Sequence, residues 1–335
     1  MRSTCSLYID AGYLLASAAT RATGTSLRSG IYVDYSVLIS ALVDAAQARS
    51  GLPVLRVHWY DSARNGLPDA QQERIGELSK VKLRLGRFGV NGEQKGVDLR
   101  IGLDLVAHAR NGASDVFFLV SGDDDLTEAV EEAQVHGVQV VVFAVPNVLG
   151  RPHGVSRHLV RAADELDTID GAAVDAAVMK VVRKPVPEPE PEPASAPATP
   201  APAPDRPAAR TGVPTPLDLV TVAQAPAPPR PTSVLAYSSS TGSPAHVVPG
   251  YGGDHEQAEQ LDEVVLRVLA SFRKSSSTDD KLELERARPS IPPGIDRALL
   301  LDASDAMQMY DLDERIRYRL RARFWVKYDE VGPDR

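Results

Sequence analysis

The stretch VFFLVSGDDDLTEAV, residues 116–130, decides the reading of this chain. Val116–Val120 is a run of five apolar, β-favouring residues, as in a strand buried on both faces. Ser121-Gly122 breaks the run. Three carboxylates follow at once, Asp123, Asp124 and Asp125, and then a helical pattern over Leu126–His136 that Gly137 stops. A buried strand feeding a helix through an acidic turn is the unit of an open α/β sheet, in which ligands bind beyond the carboxyl ends of the strands.

Working outward, the same alternation recurs. Ser6–Ile9 (SLYI) is a short buried strand that runs straight into Asp10. Asp34 is placed to cap a helix over Tyr35–Ala48. Leu55–Tyr60 is a second strand, Asp69–Ser79 a helix, and Val81–Phe88 a strand with one wet face. Val97–Arg110 is a helix, Val138–Ala144 a buried strand, and Ser156–Ala163 a last helix. Strands alternating with helices predict a parallel sheet covered on both faces.

Residues 184–250 hold 18 of the chain's 26 prolines, in runs such as PVPEPEPEPASAPATPAPAP. Such a stretch cannot bury a core. It divides the chain into a domain over 1–183 (core 5–168), a Pro/Ala-rich disordered linker over 184–255, and a small helical domain over 256–335. The linker reads as a spacer, the sharper alternative being a proline-rich ligand for a partner protein. In the last domain Leu261–Phe272 is amphipathic, Ile295–Met309 is a second helix, and Asp311 with Glu314 forms a capping box for a third carrying Leu312, Ile316, Leu320 and Phe324. This region is a candidate RNA-binding or protein-docking module.

Composition excludes several classes. One cysteine, Cys5, rules out an internal disulfide and a thiolate metal cage. No apolar run reaches the roughly 18 residues that span a bilayer, and Asp10 comes too early for a signal-peptide apolar region, so cytoplasmic residence is expected. The net charge of −8 argues against a nucleic-acid coat protein but not against an enzyme whose bound cations meet phosphates. There is no P-loop and no dinucleotide glycine motif. The histidines lack zinc-ligand spacing. Asp10-Ala11-Gly12 is not the Asp-x-Asp of a haloacid-dehalogenase phosphatase, and a receiver domain's paired acids are missing.

In a parallel sheet Asp10 and Asp123 fall at one edge, and Asp98, at a helix start, falls there too. Asp10, Asp98, Asp123 and Asp125 are therefore candidate catalytic residues, and the first three candidate metal ligands. Like charges gather at a cost unless cations neutralise them, and an all-oxygen set suits Mg²⁺ or Mn²⁺. Two such ions about 4 Å apart serve in-line displacement at phosphorus. Each residue also has a plainer reading. Asp125 caps a helix, with Glu128 completing a box. Asp98 complements a helix dipole. Asp104, about 120° round the helix from Asp98, is either outer support or surface. Asp124 faces solvent. Asp10 has no evident structural purpose, which makes it the hardest to set aside.

The segments YIDAGYL (8–14), KGVDLRIGLD (95–104), VFFLVSGDDDLTEAV and VVVFA (140–144) together resemble the NYN-domain family of PIN-like nucleases, including its LabA-like branch, over about residues 5–168. The family pattern is an Asp ending the first strand, a Lys-Gly-Val-Asp helix start with a further Asp, and a Ser-Gly-Asp-x-Asp turn. Here these fall on Asp10, on Lys95–Asp98 with Asp104, and on Ser121–Asp125. The resemblance implies a three-layer α/β/α sandwich with sheet order 3-2-1-4-5 and metal-dependent cleavage of RNA. It adds Lys95, Tyr13 and Ser121 as residues near the substrate or the metal shell. Many members carry Asn three residues after the first Asp. This chain has Tyr13, so one polar contact is absent there or comes from elsewhere. That departure sustains a second reading, a catalytically weak RNA- and metal-binding module that recruits partners. Lys80, Lys82 and Arg84 share a face of the third strand, as edge protection or as a phosphate track. Arg151, Arg157 and Arg161 flank the last helix as a further possible RNA path.

Overall fold

The computed structural model describes residues 3–63, 66–88, 94–182, 253–307, 309 and 312–332. The expected linker lies outside the described residues except for its last three positions, which begin a helix. The described parts on either side of it belong to one compact unit. No helix among the described residues is long and apolar enough to cross a membrane.

The strands are β1 (Cys5–Asp10), β2 (Ile31–Val33), β3 (Val54–Ala63), β4 (Val81–Phe88), β5 (Gln94–Lys95), β6 (Val116–Val120), β7 (Gln139–Ala144), β8 (Glu165–Thr168) and β9 (Val178–Lys180). The helices of the sheet domain are α1 (Ala11–Thr23), α2 (Tyr35–Ser50), α3 (Ala70–Glu77), α4 (Val97–Arg110), α5 (Thr127–Val135), α6 (Arg157–Ala162) and α7 (Gly171–Ala177). The main sheet runs β5-β4-β3-β1-β6-β7-β8, parallel throughout except for β5. Its five central strands keep the expected order. It differs from expectation at the rims, where β8 extends one side and β5 pairs with only the last two residues of β4. A small antiparallel pair, β2 with β9, stands apart.

Alternation along the strands explains the layers. Leu7, Ile9, Val57, Trp59, Phe118 and Val120 point to one face and pack with α1, α2 and α7. Tyr8, Tyr60, Phe117, Leu119 and Val140 point to the other and pack with α4, α5 and α6. Every residue of β1 and β6 is buried, as expected of central strands covered on both sides.

Beyond the linker lie α8 (Gly253–Ser275), α9 (Thr278–Ala287), α10 (Pro293–Ala306) and α11 (Glu314–Val331). Leu261, Val265, Leu299, Leu320 and Phe324 form their core, and Leu27 of the sheet domain is buried in the same cluster. Asp313, not Asp311, caps α11, its side chain accepting from the Ile316 amide at 2.7 Å. Asp311 lies outside the described residues.

Candidate active site

Asp10 is the last residue of β1 and pairs with Tyr60 of β3. Its neighbour Ile9 pairs with Val120, the end of β6, so Ser121–Asp123 leaves the sheet at the same edge. Asp98 sits in the first turn of α4. Three separate segments thus deliver carboxylates to the carboxyl edge of the sheet.

Asp10 is only 9% exposed. Contrary to expectation it also serves the architecture. Its Oδ1 caps α1, accepting from the Gly12 amide at 2.7 Å. Burial, then the Asp98 carboxylate, pushes its pKa up to about 6, against the pull of Arg28 and the amides of Gly12 and Tyr13. Asp98 is also raised, by burial and then by Asp123 and Asp125, with Arg297 opposing. Asp123 is raised by burial and by its neighbours Asp125 and Asp124, although amide hydrogen bonds oppose this. The carboxylates lie within electrostatic reach of one another, and each makes the next harder to ionise.

The acidic turn is built differently from what the sequence pattern suggests. Asp123, not Asp125, is the cap. It accepts from the Asp125 amide at 3.0 Å and opens a short 3-10 turn over Asp124–Leu126. Asp125 and Glu128 form no capping box, and the Asp125 side chain is exposed. Asp124 does not simply face solvent. It accepts from the Ser156 hydroxyl, and its Oδ2 lies 3.1 Å from His158 Nδ1. Ser121 is fully buried, its Oγ accepting from the Asp123 amide at 3.3 Å. Gly122 must be glycine: a Cβ there would stand 1.8 Å from the Gly154 carbonyl oxygen and 2.9 Å from Tyr13 Cε2.

Tyr13 serves this same loop. Its hydroxyl donates to the His153 carbonyl at 2.7 Å and accepts from the Val145 amide at 3.2 Å. Burial pushes the phenol far up, so it stays neutral. Both of these partners are backbone groups, and the Ser17 side chain also bonds to the hydroxyl. Asp104 is held apart from the cluster. Arg84 grips it with Nη2–Oδ1 at 2.6 Å and Nε–Oδ2 at 2.8 Å, and Tyr60 donates to Oδ2 at 2.9 Å. The Lys95 side chain lies outside the described residues. In the basic stripe, Lys80 precedes β4 in a left-handed conformation (φ 65°), and Arg84 is spent on Asp104. Lys82 lines a separate cavity of about 310 Å³ with Arg56, His58 and His108. Arg151, Arg157 and Arg161 are all exposed.

Three charged residues at the edge are not among those the sequence pattern singles out. Asp61 follows the strand residues Trp59-Tyr60 as Asp10 follows Tyr8-Ile9, a signal that could have found it. Its oxygens accept from the Ser62 amide and from Gln72 Nε2, each at 2.8 Å. Arg28 donates from Nη2 to the Gly12 carbonyl at 2.8 Å. Arg297 comes from α10 and carries no local sequence signature. A groove of about 800 Å³ opens at Asp98 and Asp125 and continues between α4 and α5 past Leu99 and Leu103, which are 66% and 62% exposed.

The donor set is entirely carboxylate, which suits a hard divalent cation. Among the described residues no three acidic, histidine or cysteine side chains stand together as a ready-made cage.

Comparison with known proteins bears on the same residues. The family model described as NYN domain matches residues 5–170. A protein of Sinorhizobium fredii, "Uncharacterized protein y4oD", is 35% identical over 100 residues, 30% of this chain and 47% of its own length. The chain therefore spans about half of that relative. A crystal structure of a Vibrio parahaemolyticus protein of unknown function aligns over 50% of this chain and 94% of its own, with 22% identity and a TM-score of 0.37.

Proposed function

Residues 5–170 belong to the NYN-domain family, a branch of the PIN-like nuclease superfamily, and from this premise we propose that the protein is a metal-dependent ribonuclease. It hydrolyses RNA phosphodiester bonds, endonucleolytically, at the cluster of Asp10, Asp98, Asp123 and Asp125. The observation that carries this reading is the delivery of Asp10, Asp98 and Asp123 by three separate segments to one sheet edge, where burial first and neighbouring acids second raise all three carboxyls. Crowded like charges of this kind call for a bound cation.

Asp10, Asp98 and Asp123 would hold Mg²⁺ or Mn²⁺, with Asp125 at the exposed rim. Such an ion supplies an activated water and stabilises the leaving oxygen. The chain's own part is to fix the carboxylates. The amide of Gly12 orients Asp10, the amide of Asp125 orients Asp123, and Ser121 and Gly122 hold the turn against the 153–156 loop. No side-chain nucleophile is required. In this reading residues 184–255 are a spacer, and the enzyme works in the cytoplasm.

One observation favours a second reading, an RNA- and metal-binding module of low turnover. The Tyr13 hydroxyl is engaged by the His153 carbonyl, the Val145 amide and the Ser17 side chain, so Tyr13 does not replace the polar contact of the family's Asn. Purified full chain incubated with RNA and Mn²⁺ or Mg²⁺ separates the two. Cleavage that disappears in Asp10→Asn and in Asp123→Asn supports the nuclease. Binding without product under every metal supports the module. Undiminished cleavage in both variants would reject the site.

A further inference from the structure

The helices beyond the linker meet the sheet domain next to the acidic edge, through contacts that lead step by step into it. The Ser26 amide donates to Asp302 Oδ1 at 2.9 Å, and the Ser26 hydroxyl donates to the Ala298 carbonyl at 3.3 Å, both bonds buried. Leu27 enters the core of the helical region. Arg28 reaches Gly12 in the first turn of α1, the glycine whose amide caps onto Asp10. The Ser26–Arg28 segment therefore joins α10 to the floor of the site.

Arg297 immediately precedes Ala298 on α10. It is half-buried, and its charge interacts with Asp10, Asp98 and Asp61 as well as with Arg28. Among the described residues it makes no direct ion pair and no hydrogen bond. A partly desolvated guanidinium that no protein acceptor holds keeps its donors open to a ligand. Its planar fork matches an oxyanion such as phosphate. Arg28 beside it commits one nitrogen to Gly12, and the two cations border the carboxylates without quenching them.

We propose that Arg297, delivered by α10, acts with Arg28 to bind the RNA phosphate beside the acidic cluster, so that the C-terminal helices complete the substrate site of the NYN domain in the same chain. This rests on the ribonuclease reading. Arg297 is here a substrate-positioning residue. The plainer account of the same placement is that Arg297 only offsets the negative potential of the carboxylates at a distance.

The test uses the full chain and a fluorescein-labelled single-stranded RNA oligonucleotide. Anisotropy is followed in EDTA over a salt series, and cleavage is followed with Mn²⁺. Arg297→Ala and the bulkier Arg297→Gln, each checked for native thermal unfolding, are expected to weaken metal-free binding about tenfold. They should also flatten the dependence of log affinity on log salt by about one unit, as when one phosphate contact is lost. Arg297→Lys should recover part of both. In cleavage the loss should fall mainly on KM. Unchanged affinity and salt slope in the folded variants overturn the proposal, and so does tighter binding or faster cleavage, which would mark Arg297 as a plug. If wild type binds RNA through Arg297 yet never cleaves it, the ribonuclease reading fails alone. Cleavage indifferent to Arg297 fails this proposal alone.

Discussion

Helix α4 carries two aspartates six residues apart that live under opposite rules. Asp98 opens the helix and Asp104 sits in its middle. Burial pushes both carboxyls upward. At Asp104 the two bonds from Arg84 and the one from Tyr60 outweigh burial and hold the group below its ordinary value. At Asp98 the neighbours are Asp123 and Asp125, and the value rises. A buried acid with its cation in hydrogen-bond contact is part of the architecture. A half-buried acid among other acids, with arginines only at a distance, is available for chemistry. Sequence distance does not separate the two. Contact partners do.

The largest expected effect breaks the chemical end of α4's pair of sites. Asp10→Asn and Asp123→Asn should each lower RNA cleavage by about 10²–10⁴-fold, the range for removing a group that acts in the transition state. Asn is as good a helix cap as Asp, so Asp10 and Asp123 keep their amide bonds while losing charge. Chemical unfolding at neutral pH should find both variants at least as stable as wild type. A variant that loses activity because it unfolds would instead place these residues with Asp104.

The pH dependence sharpens the contrast and amounts to about 3 kcal/mol for Asp10 alone. Its folded pKa of about 6 lies above the 3.8 of the free group. The folded state therefore holds the proton more tightly. Its contribution is intact below pH 4 and is lost as pH rises through about 6. Asp98 and Asp123 are raised as well and titrate with it as a coupled set. Asp104 has the opposite sign: its contribution is present above its unfolded value and disappears as acid protonates it. In EDTA, urea midpoints from pH 4 to pH 7 should show Asp10→Asn gaining on wild type as pH rises. Parallel curves for the two proteins would refute the shifted titration of Asp10.

Much of this architecture is legible in the amino-acid order. Runs such as VFFLV and SLYI mark central strands because a parallel sheet buries both faces, and the acids that end them mark the edge. Helix α1 is not legible in the same way. AGYLLASAATRAT is small and apolar nearly all round, so it lacks the polar stripe that betrays a surface helix. Strands β2 and β9 are three residues each, too short for periodicity. Within the site, the positions of Asp10, Asp98 and Asp123 follow from the ends of elements. That Asp104 belongs to Arg84 does not, because the pair joins residues on β4 and α4 whose facing depends on how the helix lies on the sheet. Arg297 is hidden for a similar reason, since it reaches the edge only through tertiary docking.

At the architectural end, Asp104→Asn should cost about 2 kcal/mol in unfolding free energy. Removing one member of a buried pair costs about 3–5 kcal/mol, and the 37% exposure of Arg84 calls for a reduction. Activity per folded molecule should change little, because Asp104 bonds to Arg84 and Tyr60 and not to the cluster. A tenfold loss of cleavage in folded Asp104→Asn would erase the distinction between the two aspartates.

The smallest effect reports directly on a bound ion. A ligand that binds only the folded state, present at ten times its dissociation constant, adds about 1.4 kcal/mol of stability. For a chain of this size that is roughly 3–5 °C in Tm. Mg²⁺ or Mn²⁺ should therefore raise the Tm of wild type and of Asp104→Asn alike, and leave that of an Asp10→Asn, Asp123→Asn double variant flat. The comparison needs no catalysis, so it holds whether the domain cleaves RNA quickly or hardly at all. A shift of equal size in the double variant would mean that the ion sits elsewhere, and the raised carboxyls at the sheet edge would then be strain without a ligand to relieve it.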